Sequence, residues 1–193
     1  MKLDMDALKE EFYRVARANI DREGLEDLLE WLQEEDFFEA PASTRYHGNY
    51  PCGLVQHSLD VFNYALRIAP LCDCEISRES LAIAALFHDL CKVDFYKLGW
   101  RSVKVDGKFD QVPVYSVEER FNFGGHGSKS VFLVERKMHL TDEEAMAINA
   151  HMGFANADEH MMRSISDIYK NCPLAWVIHV ADEAATFLLE RNE

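Results

Sequence analysis

His88 and Asp89 stand side by side in ALFHDLCKVD, residues 84–93, directly after four apolar residues that read as buried helix. Both groups are costly to bury without partners. A metal ion is one partner that suits an imidazole beside a carboxylate. The chain offers more donors of this kind: His57 in GLVQHSLDV, His126 in GGHGSKS, His151 in INAHMG, and Asp182 in WVIHVADEA. A single histidine at a helix end commonly caps or hydrogen-bonds. Four imidazoles and two carboxylates at the ends of separate helices form a pattern of another kind, because helical bundles build metal sites from such facing side chains. Mixed imidazole and carboxylate donors accept manganese, iron, zinc, nickel or cobalt, as one ion or two, without selecting among them. Successive helical residues point about 100° apart. His88 and Asp89 therefore address a shared cavity obliquely, which suits an aspartate that bridges two ions while the histidine binds one.

The elements that must position these groups are mostly helical by their apolar period. Helices are predicted over 5–19, 24–38 (with Leu25, Leu28, Leu29 and Leu32 as one stripe), 54–69, and from an N-cap at Ser77 to about 91. Further helices are predicted over 127–138, over 142–151 behind a Thr141/Glu144 capping box, and from Pro173 to about 190 with Trp176, Val177, Val180 and Ala181 buried. Residues 99–117 break the helical pattern. Short β-branched and aromatic runs flank Asp106-Gly107 there, a strong hairpin signal. The reading is an all-α bundle with one inserted β-hairpin, about 99–117. Residues 1–43 supply N-terminal helices that pack on a core domain of residues 44–193.

Composition narrows the function classes. The 193 residues suit one domain, and 48% hydrophobic with 28% charged residues is ordinary for a globular protein. The N-terminus is charged and amphipathic, so no signal peptide is read there, and a cytoplasmic protein is expected. Five cysteines without a Cys-x-x-Cys pair argue against a disulfide framework and a thiolate zinc knuckle. A net charge of −14 argues against long nucleic acid and anionic membranes as partners. The sign is local, however: residues 21–39 carry nine acidic residues and one basic, whereas 92–108 carry five Lys or Arg against two Asp. That basic strip could steer an anionic substrate, and it could equally protect a hairpin edge from aggregation.

GLVQHSLDV, then ALFHDLCKVD, then the aspartate of IHVADEA reproduce the H…HD…D order of the HD-domain superfamily of metal-dependent phosphohydrolases, which residues 45–190 resemble. The resemblance implies His57, His88, Asp89 and Asp182 as metal ligands. His126 and His151 are similar to the added ligands of binuclear members such as the HD-GYP phosphodiesterases and HD-domain exoribonucleases, with Asp89 as the bridge. The GYP motif is missing, which argues against cyclic dinucleotides, and no nucleic-acid-binding barrel precedes the HD region. Lys92 matches the lysine of the HD-x-x-K pattern found in many relatives. On a continuing helix it would reach the cavity of His88 and Asp89.

The implied chemistry is hydrolysis of a phosphomonoester or short phosphodiester, with a nucleotide as the expected class of small phosphorylated substrate. Two ions about 3.5–4 Å apart can lower the pKa of a shared water and hold it in line with phosphorus. Asp89 and Lys92 are the catalytic candidates, the first as metal bridge and the second as the cation that absorbs developing charge. Lys92, His47 and Lys129 are the candidates for substrate contact, Lys129 competing with a reading as an exposed lysine at its helix entry. His179 is expected to support Asp182 or to pack in the core. The alternatives are an HD-domain di-iron oxygenase acting on a small polar substrate and a 3'-5' exonuclease.

Overall fold

The computed structural model describes residues 4–44, 48–105, 108–119, 123–155 and 157–189. Its chain order is α1 (Met5–Asn19), α2 (Leu25–Glu34), α3 (Gly53–Ile68), α4 (Arg78–Phe87), β1 (Tyr96–Val105), β2 (Lys108–Val117), α5 (His126–Glu135), α6 (Asp142–Ala150), α7 (Glu159–Asn171) and α8 (Pro173–Ala184). A short π-helical turn, Ala185–Leu189, continues α8. The protein is thus a helical domain with one inserted hairpin. Among the described residues no single helix is long and apolar enough to cross a membrane; α7 and α8, which reach that length only together, bend by 109°.

The centre is built on α4, where every residue from Leu81 to Phe87 is buried. Helices α3, α6 and α8 pack around it, and α8 also packs against both α3 and α6. The starts of these helices follow local rules. Ser77 Oγ accepts the Ser80 N–H (3.4 Å), and Thr141 and Glu144 form the reciprocal capping box at α6. Pro173 occupies the first turn of α8, where a missing N–H costs nothing.

The N-terminal segment joins the same apolar core. Phe12 of α1 sits with its ring centroid 5.0 Å from Phe37, 5.7 Å from Phe38 and 6.1 Å from Phe87. Arg22, between α1 and α2, reaches two core helices at once. Its guanidinium donates to Glu79 of α4 (2.9 Å) and to Glu144 of α6 (2.5 and 3.1 Å). Gly24 has φ +91°, and a Cβ there would collide with the Lys137 carbonyl, so this corner requires glycine.

Several boundaries differ from the sequence reading. Helix α2 ends at Glu34, and Phe37 and Phe38 are buried from the turn that follows. An apolar period reports burial, and a turn can bury side chains too. Strand β1 begins at Tyr96, and the antiparallel register runs from Tyr96↔Val117 to Val105↔Lys108; the Asp106-Gly107 tip lies outside the described residues. Helix α5 begins at His126 itself and stops at Glu135. Helix α7 has no counterpart in the sequence reading, although Met161, Ile165, Ile168 and Tyr169 recur at helical spacing along one face; of these only Ile165 is buried. Trp176 is 42% exposed, since α8 turns Leu174, Ala175, Val177, Ile178 and Ala181 inward instead.

Candidate metal centre

Helix α4 ends at Phe87, with His88 as its C-cap, and a 3-10 turn over Leu90–Lys92 replaces the continuing helix that the sequence suggested. The last carbonyls of an α-helix lack intrahelical partners. His88 uses one: its Nδ1–H donates to the Ala85 carbonyl at 2.9 Å. His151, the C-cap of α6, repeats the arrangement with the Ile148 carbonyl at 2.7 Å. A carbonyl only accepts, so in both rings Nδ1 carries the proton and a neutral ring offers its Nε2 lone pair. Helix ends thus hold two imidazoles in the tautomer that a metal requires.

These Nε2 atoms meet the other candidates. His57 of α3 brings its Nε2 to 3.3 Å from His88 Nε2 and to 3.1 Å from Asp182 Oδ1 of α8. Asp89 lies between the rings: Oδ2 is 3.4 Å from His88 Nε2 and 3.7 Å from His57 Nε2, while Oδ1 is 3.5 Å from His151 Nε2. Two overlapping groups result, His57/His88/Asp182 and His88/Asp89/His151, each with its donor atoms within 4.8 Å of one another. His57, His88, Asp89 and His151 are buried, and Asp182 keeps only 16% of its side chain exposed.

The donor set suits a divalent transition ion. The buried His151 Nε2 makes no hydrogen bond among the described residues, and its nearest carboxylate oxygen, Asp89 Oδ1, stands 3.5 Å away, a spacing that leaves both atoms free to meet a cation. Burial disfavours both carboxylate charges, yet both pKa values lie below the ordinary range. For Asp89 the neighbouring Lys92 and His88 outweigh burial; for Asp182 the hydrogen bond and charge of His57 do so. The site therefore keeps two ionised carboxylates against facing imidazoles. These residues fit a bound cation.

Lys92 reaches the centre despite the break in the helix. Its Nζ lies 2.6 Å from Asp89 Oδ2 because the 3-10 turn still directs it back over Asp89. Burial lowers the stability of the ammonium, but the Asp89 charge more than compensates and raises the Lys92 pKa above its ordinary value. His126 stands at the rim, exposed, in neither group; its Nδ1 contacts Cys91 Sγ at 3.2 Å, and that sulfur lies 3.9 Å from Asp89 Oδ1.

Lys129 is not an exposed lysine. It is buried, with Nζ 3.3 Å from Glu119 Oε1 and 5.3 Å from the Phe95 ring centroid. His47 lies outside the described residues. His179 is half-buried: its Nδ1–H donates to the His151 carbonyl (2.8 Å) and its ring stacks on Tyr169. Tyr169 Oη in turn donates to the Ala150 carbonyl at 2.8 Å. Together they clamp the end of α6 that carries His151.

The sequence reading missed Cys91, Tyr169 and Ser130, whose Oγ accepts the Cys91 N–H at 3.0 Å. Only Gly153 carried a usable signal. It follows His151 by two residues, has φ +58°, and a Cβ there would collide with the His179 ring, the kind of position that ends a helix with glycine.

The HD-domain family model matches residues 54–186, more than half of the chain. Over 153 residues the chain is 32% identical to the dihydroneopterin 2',3'-cyclic phosphate phosphodiesterase of Methanocaldococcus jannaschii, covering 76% of this chain and 51% of that protein. It therefore spans about half the length of that curated relative. No solved structure matches the chain significantly. The matched region runs from the start of α3 to just past α8 and contains all five of the side chains that converge between the helix ends, and the chain belongs to the HD-domain family.

Proposed function

We propose that this protein is a metal-dependent phosphohydrolase acting on a small phosphomonoester or short phosphodiester of nucleotide type. The observation that carries the reading is a buried carboxylate, Asp89, set among the Nε2 atoms of His57, His88 and His151 with the Lys92 ammonium at 2.6 Å. In this reading His57, His88, Asp89 and Asp182 would hold a divalent ion, and His151 and His126 would serve a second, with Asp89 shared. Such an ion, when bound, supplies Lewis acidity toward a phosphoryl oxygen and a water acidic enough to attack near neutral pH.

The chain's own residues supply the rest. Asp89 and Asp182 stay ionised at neutral pH, so they hold positive charge and do not carry protons. Nδ1–H of His88 and of His151 is committed to a carbonyl, which keeps each Nε2 aimed inward. Lys92 donates one N–H to Asp89 and has others to offer a phosphoryl oxygen; its side chain is 12% exposed, so a ligand can reach it. The net reaction adds one water across a P–O bond, giving an alcohol and a phosphate, or a phosphomonoester where the substrate is a cyclic diester. The phosphodiesterase name of the relative favours the cyclic diester. Lys92 favours phosphate over the oxygenase alternative, and the net charge of −14 disfavours a long nucleic acid as exonuclease substrate.

A metal-supplemented screen of phosphomonoesters, nucleoside 2',3'-cyclic phosphates and dinucleotides tests the proposal, with Asp89→Ala as control. Turnover that vanishes in the control supports it. Turnover that survives Asp89→Ala refutes the site, and bound iron with oxygen uptake but no phosphoester cleavage refutes the reaction.

A further inference from the structure

A cavity of about 330 Å³ opens beside His126. Its floor is the contact between the start of α5 and the end of α6: Gly127 lies so close to the Asn149 backbone that a Cβ would collide with the Asn149 carbonyl. Gly125 has no atom within 4 Å of where its Cβ would stand, so the space next to His126 is open. The opposite wall is one face of α7, with Met161, Ser164, Ile165 and Ile168 at helical spacing. Met152, 42% exposed, and Met161, 49% exposed, border it.

The polar groups are few and placed. Ser128 Oγ donates to Asn149 Oδ1 at 2.9 Å, which commits that oxygen and leaves the amide nitrogen to donate. Thioether sulfurs make favourable contacts with aromatic rings, and few polar groups in an apolar slot of this volume is the ordinary make-up of a small-molecule site. A larger cavity, about 590 Å³ at the base of the hairpin, is bordered by Asp36 and Glu39, whose charges oppose an anionic ligand.

We infer that the cavity between the glycine-rich start of α5 and the face of α7 binds the planar nitrogen heterocycle of the substrate, with Asn149 donating to a ring acceptor and the methionines covering the ring. His126 lines this cavity and also, through Cys91, neighbours Asp89. A ligand whose ring lies against α7 would direct its phosphate past His126 toward the Asp89 side of the site. The inference rests on the phosphohydrolase reading, since it assigns the non-reacting part of that substrate.

Calorimetric titration of the manganese-loaded protein with adenosine 2'-monophosphate and, separately, with inorganic phosphate tests it. Ser164→Trp, at an exposed position where added bulk leaves the core alone, is expected to weaken nucleotide binding at least tenfold and to leave phosphate binding within twofold. Asn149→Leu is expected to weaken the nucleotide and spare the phosphate in the same way. Wild-type protein that binds the nucleotide no more tightly than phosphate overturns the inference, as does unchanged nucleotide binding in both variants; in either case phosphate binding leaves the phosphohydrolase reading intact. Absence of binding by both ligands overturns that reading and the inference together.

Discussion

Lys92→Met separates the charge balance of the empty site from that of the loaded one. Asp89 is buried, and among the described residues its one close ammonium is Lys92 at 2.6 Å. Removing one partner of a buried ion pair leaves the other charge uncompensated, at a cost of about 3–5 kcal/mol. For a chain of this size, 1 kcal/mol corresponds to roughly 2–4 °C in Tm, so the metal-free variant should melt about 6–20 °C below wild type. A manganese ion replaces the missing positive charge, so saturating metal should remove at least half of that deficit. Linkage then requires the variant to bind the ion more tightly: a recovery of about 2 kcal/mol corresponds to roughly 30-fold in affinity. Turnover should move the other way, falling about 10²–10³-fold if the ammonium stabilises charge on the reacting phosphoryl group. Differential scanning calorimetry with and without manganese, together with metal titration, measures each quantity. An equal Tm deficit in both conditions, or weaker manganese binding in the variant, would refute the reasoning.

Three further outcomes are expected. Glu144 is pushed up by burial but held below its ordinary pKa by Arg22 and the Thr141 N–H; the unfolded chain therefore takes up that proton first, and the stabilisation present above about pH 4.3 is lost as pH falls through the lower folded value. Arg22→Met should accordingly narrow its Tm gap to wild type between about pH 6 and pH 3, and a constant gap would exclude the linkage. Phe12→Ala, at the centre of the Phe37, Phe38 and Phe87 cluster, should cost about 3–5 kcal/mol in urea unfolding; a loss under about 1 kcal/mol would mean that α1 is not part of the cooperative core. Cys91→Ala removes the group that His126 Nδ1 contacts and should weaken a second manganese equivalent about 10–100-fold, with partial rescue by Cys91→Ser; unchanged stoichiometry and affinity would show that Cys91 does not position His126.

What the sequence revealed and what it hid follow from the range of each interaction. His57, His88, Asp89, His151 and Asp182 were legible because each sits near a helix end or on an inward face, and those places are set by local capping and periodicity. The capping box at Thr141 and the cap at Ser77 are likewise local, and both form. Lys92 was legible in its target but not in its route, since the switch from α-helix to a 3-10 turn after His88 depends on packing against α5. His126 is aimed by Cys91, a residue whose importance comes from a fold contact 35 positions distant in sequence. Burial of Lys129 under Phe95 and beside Glu119 is equally non-local. Helix α7 was legible and passed over: Met161, Met162, Ile165, Ile168 and Tyr169 recur at helical spacing, although in the fold Met161 and Met162 stay exposed. The same exposed face borders the cavity assigned to the substrate ring.

Anomalous diffraction at the manganese edge, from crystals grown with the metal, addresses the central claim without depending on any substrate. The account predicts a peak coordinated by Asp89 together with Nε2 of His88, with His57, Asp182 and His151 completing the surroundings, and loss of that peak in Asp89→Ala. Manganese bound elsewhere, with the Asp89 carboxylate still paired with Lys92 and no ion beside it, would contradict it.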